Sequence, residues 1–284
     1  IYQLFGENAP RREDVRYCYK DYRYNPFKLP DALLMDINQM RKNRPDDWKR
    51  IYLGKLRSSV EEPVVKSWSV VENVGVGRKS DKIYWSLDFN YNPQCSVICH
   101  WNGDHDFYFS DEIVMQSCPT LDVAEAFVRL YRQKYNNQMV VINGDASGRN
   151  RSSQSEYSNY AIIQNVLMKN KIPHRFNVPK QNPSVSNRVA NFDNHVKGID
   201  GKRHILVDPS CVHLIHACKL LGFDKNGDPL EIAYRPGMKT IDYAKSHIYD
   251  AASYCVFTND PVVFQYEKKP KSRLLTLKEQ FERS

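Results

Sequence analysis

No apolar run in this sequence approaches the ~20 residues that a membrane-spanning helix needs. The first residues, IYQLFGENAPRRED, also lack the basic and apolar regions of a secretory signal. A membrane-embedded or secreted protein is therefore not expected. The seven cysteines, at positions 18, 95, 99, 118, 211, 218 and 255, are odd in number and form no CxxC pair. That argues against a disulfide framework and for reduced thiols in a cytosolic protein. The pattern GxxxxGK[ST] occurs nowhere, so no phosphate cradle for ATP can be assigned and this chain alone is not expected to be a motor. Internal repeats and low-complexity tracts are absent too. The chain begins with Ile1, and the expectation is that a segment precedes it.

What remains is a globular composition. Hydrophobic residues make up 41% and aromatics 12% of 284 residues, enough for one large or two modest domains and far from a disordered profile. The formal net charge is +8, which favours a polyanionic partner. Its placement is uneven: between positions 146 and 203 ten Lys or Arg face Glu156, Asp193 and Asp200, a local balance of +7.

Periodicity divides the chain. VRYCYKDYRY reads as strand-like, and in LPDALLMDINQMRKN the spacing of Leu33, Ile37 and Met40 predicts a helix with Asp31 near its start. LRSSVEEP reads as a linker. Three strands are expected next, at Ile83–Phe89, Cys95–Trp101 and Phe107–Val114, with Asn102 and Gly103 turning a hairpin between the last two. Helices and strands then alternate. A helix over Thr120–Tyr135 with Thr120 as N-cap feeds the strand Met139–Asn143, followed by a helix around Tyr157–Lys169 and a strand near His174–Val178. A helix over Ser186–Val196, the strand HILVD and a helix over Cys211–Leu221 complete the series. The fold class expected is α/β, a mixed sheet of three antiparallel then parallel strands with helices on both faces.

Within IYWSLDFNYNP, Ile83, Trp85, Leu87 and Phe89 alternate with Tyr84, Ser86, Asp88 and Asn90. Asp88 thus points away from the Ile83 face, where an unpaired buried charge is costly. If Met139–Asn143 lies parallel beside this strand, Asp88 and Asp145 meet near strand ends, where open α/β sheets place their sites. In KTIDYAKSHIYDAASYCVF, Ala244, Ile248, Ala251 and Cys255 form an apolar stripe, and Tyr243, His247, Asp250 and Tyr254 share an adjacent face. Three oxygen ligands, Asp88, Asp145 and Asp250, suit Mg²⁺ or Mn²⁺. Two such ions ~3.5–4 Å apart activate a water and stabilise the leaving oxygen of a phosphodiester.

The order strand-DFNYNP, strand-NGDASG, HIYDAASY resembles the nuclease domain of the large terminase subunit of tailed bacteriophages, a ribonuclease H-like fold, from roughly position 64 to 264. Upstream, YRYNPFKLPDALLMDINQM and RPDDWKRIYLGKL resemble the end of the packaging ATPase domain, with Tyr24 where such proteins often carry an acid. The resemblance implies three segments: 1–63 as the end of the ATPase domain plus linker, 64–265 as the nuclease domain, and 266–284 as a basic tail. It further implies that Asp88, Asp145 and Asp250 are metal-binding catalytic acids of an endonuclease that cuts concatemeric double-stranded DNA, with His247 beside them orienting a ligand. Two Mg²⁺ or Mn²⁺ ions, a small terminase subunit, a portal protein and the cytoplasm of an infected bacterial cell come with the same resemblance.

Plainer readings accompany each residue. Asp88 caps a strand end, Asp145 is a turn aspartate, and Asp250 and His247 are solvated helix residues. CVHLIHAC invites zinc, but Cys211, His213, His216 and Cys218 spread around a helix and cannot share one ion. In HWNGDHD, Asp104, His105 and Asp106 flank a turn and read as a solvated hairpin tip, with DNA contact or gating as the alternative. Arg149, Arg151, Lys180 and Arg188 lie near the acids or the loop QNPSVSN and are the candidate phosphate contacts. No base-reading helix is apparent, so low sequence specificity is expected. The competing functions are a noncatalytic DNA-binding module on the same fold and another ribonuclease H-like nuclease, such as a junction resolvase. Convergence of the acids discriminates the first, substrate preference the second.

Overall fold

The computed structural model describes residues 29–53, 63–103, 105–150 and 157–262. The strand-like piece VRYCYKDYRY, most of the linker LRSSVEEP, Asp104, Arg151 and the basic tail lie outside the described residues. In chain order the elements are α1 (Asp31–Asn43), α2 (Pro45–Leu53), α3 (Val70–Asn73), β1 (Lys82–Asp88), β2 (Gln94–Trp101), β3 (Phe107–Met115) and α4 (Thr120–Lys134). There follow β4 (Met139–Gly144), a 3₁₀ turn (Ala146–Arg149), α5 (Asn159–Lys169), β5 (His174–Phe176), α6 (Val185–Val196), β6 (Ile205–Val207), α7 (Val212–Leu220), α8 (Thr240–Tyr243) and α9 (Lys245–Asn259).

The six strands form one sheet in the order β5-β4-β1-β2-β3-β6. The two hairpin pairs, β1 with β2 and β2 with β3, are antiparallel, whereas β4 on β1, β5 on β4 and β6 on β3 are parallel. Three antiparallel strands extended by two parallel ones beyond β1 are the ribonuclease H-like order, here with β6 added at the far edge. The parallel pairings follow from the helices between those strands, since a parallel neighbour requires a crossover.

Each face of the sheet is covered. Ile83, Trp85 and Leu87 pack with Ile98, Val140 and Ile142 against Val123, Phe127 and Tyr131 of α4 and Ile163 and Leu167 of α5. The Trp85 and Phe127 rings stack at 3.9 Å. On the other face Tyr84, Val97, Phe109 and Val141 meet Phe192 of α6, Leu214 of α7 and Ile248, Ala251, Ala252 and Cys255 of α9. The polar-looking half of β1 is therefore buried as well. Ser86 is fully buried, and the small residues Ala251, Ala252 and Ser253 let α9 come close to this side of the sheet.

Three details differ from the sequence expectation. Thr120 is not the N-cap of α4: Pro119 occupies that position, and the Thr120 hydroxyl instead donates to Asn159 Oδ1 at 2.9 Å and accepts from Gln94 Nε2 at 3.3 Å. A sheet-to-helix contact has taken the hydroxyl that a cap would use. The hairpin between β2 and β3 spans positions 102–106, longer than a two-residue turn, with Gly103 at φ 90°. The late helix is two pieces, α8 and α9, meeting at Ala244. Upstream, α1 docks on the sheet domain: Asn43 donates to Ile199 O at 2.8 Å, and the Arg44 guanidinium bonds the Asp193 carboxylate.

Candidate active site

Asp88 ends β1 and Asp145 follows β4, and the two strands run parallel with Leu87 opposite Gly144. The Asp145 amide donates to Leu87 O at 3.0 Å, so the backbone fixes the two acids side by side. The glycines of GDASG explain that closeness. Gly144 sits at φ 133°, and a Cβ there would lie 2.3 Å from Leu87 O. A Cβ on Gly148 would meet the Phe89 ring at 2.2 Å. Only glycine permits both approaches.

The helix α9 brings His247 and Asp250 over this edge, from the face that covers Ser86. Asp88 is 6% exposed. Its Oδ2 accepts from Asn90 Nδ2 at 2.5 Å and lies 3.1 Å from His247 Nδ1. Burial pushes the Asp88 carboxyl up to about 6 against the His247 hydrogen bond, and the charges of Asp250 and Asp145 add to the rise. Asp250 is likewise raised by burial, opposed by the Arg188 charge and hydrogen bond. Burial alone lowers His247, yet its hydrogen bond to Asp88 and that residue's charge win, with Glu231 adding, and its affinity for a proton is raised. The charges of Asp250 and Asp145 thus reach Asp88, and that of Asp145 reaches Asp250.

Each acid also has a protein partner. Asp145 accepts from Ser147 N at 2.8 Å, Ser147 Oγ at 2.5 Å and Asn182 Nδ2 at 2.6 Å. Asp250 Oδ1 accepts from Arg188 at 2.7 Å. Among the described residues the three carboxylates do not form a group with all ligand atoms within 4.8 Å; they face one another more loosely than one shared ion would hold them.

Of the candidate phosphate ligands, Lys180 is exposed and Arg149 is exposed with its guanidinium turned onto Val178 O at 2.6 Å and Pro179 O. Arg151 lies outside the described residues. Arg188 is turned inward. It is 4% exposed, donates to Asp250 and to Ser253 Oγ, and lies 4.1 Å over the Tyr254 ring. A guanidinium so placed holds the Asp250 carboxylate rather than standing on the surface. We predict that Arg188→Leu destabilises the protein by ~2–4 kcal/mol, because Asp250 is left half-buried without its cation. Adding Asp250→Asn should recover most of that loss in chemical denaturation.

Asn90, Ser147, Asn182 and the inward role of Arg188 were not assigned from sequence. Asn90 shares the strand face of Asp88, and Asp-x-Ser is an ordinary turn pattern, so those two signals were available. Asn182 lies far along the chain and carries no local signal. The CVHLIHAC residues do not gather: Cys211 and Cys218 are buried in the core, and His213 is held by Glu112 at 2.7 Å. All six cysteines among the described residues are unpaired and buried.

The sheet order and the acids at its β1/β4 edge define the class: a ribonuclease H-like fold with a carboxylate cluster. No protein-family model matches the chain, and no curated protein matches its sequence. Its fold is nevertheless that of solved large terminases. The large terminase of a thermophilic bacteriophage aligns with a TM-score of 0.54 and 16% identity over 81% of this chain and 52% of its own. The ADP complex of the same phage protein aligns over the same shares at 17% identity and a TM-score of 0.54. The nuclease domain of the P22 large terminase aligns over 71% of this chain and 97% of its own, at 12% identity and a TM-score of 0.44. The chain spans about half the length of the thermophilic phage protein. No helix among the described residues is long and apolar enough to cross a membrane.

Proposed function

We propose that this chain is the nuclease part of a viral DNA-packaging terminase, a metal-dependent endonuclease that cuts double-stranded DNA with low sequence specificity. The observation that carries this reading is the approach of Asp88, Asp145 and Asp250, from two strand ends and a helix, close enough at one sheet edge for the Asp145 charge to raise the carboxyls of both Asp88 and Asp250. The donor set fits a hard divalent cation: three carboxylates, one of them deeply buried and resisting ionisation. Two Mg²⁺ or Mn²⁺ ions, when bound, supply an activated water and charge stabilisation for phosphodiester hydrolysis.

The chain's own residues prepare for that role. Ser147 and Asn182 hold Asp145 in one orientation, and Asn90 and His247 hold Asp88. Arg188 keeps Asp250 aimed while its charge offsets the carboxylate. Lys180 and Arg149 are exposed near Asp145 and suit backbone phosphates. The remaining parts of the proposal follow the same resemblance: residues 64–265 as the nuclease unit, an ATPase domain, small subunit and portal as partners, and the host cytoplasm as its place.

A second reading, a DNA-binding module without catalysis, is favoured by the looseness of the three acids, whose oxygens are not drawn within 4.8 Å. Supercoiled plasmid separates the two. Under the nuclease reading, Mn²⁺ or Mg²⁺ supports nicking and linearisation, EDTA abolishes it, and Asp145→Asn loses it while still shifting DNA in a gel. Retardation without cutting under every metal, by wild type and variant alike, would establish the binding module instead.

A further inference from the structure

The far end of the sheet holds a second cluster. α9 carries Asp250 near the proposed active site and is followed by Asp260, ten residues and about 15 Å further along the helix axis. There the Asp260 carboxylate meets two histidines from other elements. His195 Nε2, in the last turn of α6, lies 3.0 Å from Asp260 Oδ2, and His105 Nδ1, on the β2–β3 hairpin, reaches the same oxygen. The three ligand atoms all lie within 4.8 Å of one another. The chain has 8 histidines, and a third one, His204, stands beside them, its ring 6.1 Å from that of His105 and its Nδ1 2.7 Å from Asp106.

One ring nitrogen of His195 is already engaged. Its Nδ1 faces Asn191 O at 2.9 Å, and a carbonyl only accepts, so the ring proton is on Nδ1. Nε2 is then the ring nitrogen left facing the Asp260 carboxylate oxygen, where a proton or a metal ion can bridge the two. Donation of one ring N–H to a backbone carbonyl is how ligating histidines are oriented towards a metal. His195 is 2% exposed, so it is aimed before any ion arrives. His105, by contrast, has a 66% exposed side chain, sits at φ 65° on the hairpin tip, and is free to close onto an ion at ligand distances of ~2.0–2.2 Å.

We propose that His105, His195 and Asp260 form a structural site for a borderline divalent ion of the zinc class, distinct from the oxygen-only aspartate site. Two imidazoles and a carboxylate suit Zn²⁺, Co²⁺ or Ni²⁺, whereas three carboxylates suit Mg²⁺ or Mn²⁺. The ion would tie the β2–β3 hairpin to the end of α9 and to α6, already joined by Asn191 Oδ1 accepting from Val262 N at 2.6 Å. Its consequence is mechanical: it anchors the helix that carries His247 and Asp250.

The test uses the EDTA-stripped full chain, Asp145→Asn and His105→Gln, titrated with Zn²⁺ and separately with Co²⁺. The glutamine lies on an exposed tip and leaves the core intact. Zn²⁺ should raise the thermal midpoint of wild type and Asp145→Asn alike, and Co²⁺ should give them a visible d–d band. His105→Gln should bind at least ~10-fold more weakly, a loss of the size seen for groups that merely support ligands. If wild type and His105→Gln bind identically, or neither responds, the cluster is an imidazolium–carboxylate ion pair and the proposal is overturned. Loss of binding in Asp145→Asn alone would also overturn it, by assigning the ion to the aspartates.

Discussion

Asp88→Asn should abolish DNA cleavage and, at pH 7.5, make the protein more stable. The two effects have one cause. Asp88 is buried at the end of a central strand, and burial with the charges of Asp250 and Asp145 raises its carboxyl from 3.8 to about 6. A carboxyl whose folded value exceeds its unfolded one stabilises the fold in its protonated state; that contribution is complete below pH ~4 and lost as pH rises through about 6. Above that point the charged Asp88 costs on the order of 1–3 kcal/mol, because each tenfold gain in a carboxyl's proton affinity on folding corresponds to ~1.4 kcal/mol. Asparagine removes the charge and keeps an oxygen that accepts from Asn90. Calorimetry at pH 7.5 should therefore give a higher midpoint for the variant, with the difference vanishing near pH 4. Activity runs the other way. Wild-type cleavage should be negligible below about pH 6 and recover towards neutrality, and the variant should fall more than ~10²-fold at every pH, since loss of a group that only supports a metal ligand already costs ~10–100-fold. A variant that is both active and destabilised would refute the placement of Asp88 as a strained, functional acid.

Gly144→Ala should be strongly damaging. Two costs coincide there. The backbone holds φ 133°, which a side chain rarely adopts, and the new Cβ would lie 2.3 Å from Leu87 O and 2.8 Å from Leu87 N. Those atoms belong to the paired backbone of β1 and cannot rotate away as a flexible side chain can. The strand ends must separate, losing the bond from Asp145 N to Leu87 O. We expect a loss of ~3–5 kcal/mol, the range reserved for special backbone conformations and core clashes, together with loss of cleavage because Asp88 and Asp145 move apart. Gly103→Ala is the matched control: it has φ 90° but nothing within 4 Å of the added carbon, so strain acts alone at ~1 kcal/mol. Denaturant unfolding of both variants measures the difference directly, and similar losses would show that the close approach at Gly144 is unimportant.

The sheet itself was legible because its signal is local. The alternation in Ile83–Phe89 and the short apolar run Met139–Asn143 mark β1 and β4 within two residues of their observed ends, and acids at strand ends are visible without knowing the neighbours. Helical spacing likewise put His247 and Asp250 on one face of α9. What local periodicity does not report is which faces are covered. The polar-looking half of β1 is buried beneath α9 because Ala251, Ala252 and Ser253 are small enough to approach it.

Composition and the positions of β1, β4 and the late helix along the chain were thus legible in the sequence, since each depends on residues close together in the chain. The tertiary structure alone decided where Arg188 points. A basic residue on an amphipathic helix reads as a solvent-facing cation, but Asp250 is 62 positions away, and a partner at that distance leaves no trace in spacing. The same holds for Asn182 on Asp145 and for the meeting of His105, His195 and Asp260, drawn from a hairpin, a helix end and a helix terminus. Hydrogen bonds and ligand sets of this kind are made by the packing of whole elements, and packing is a property of the folded chain.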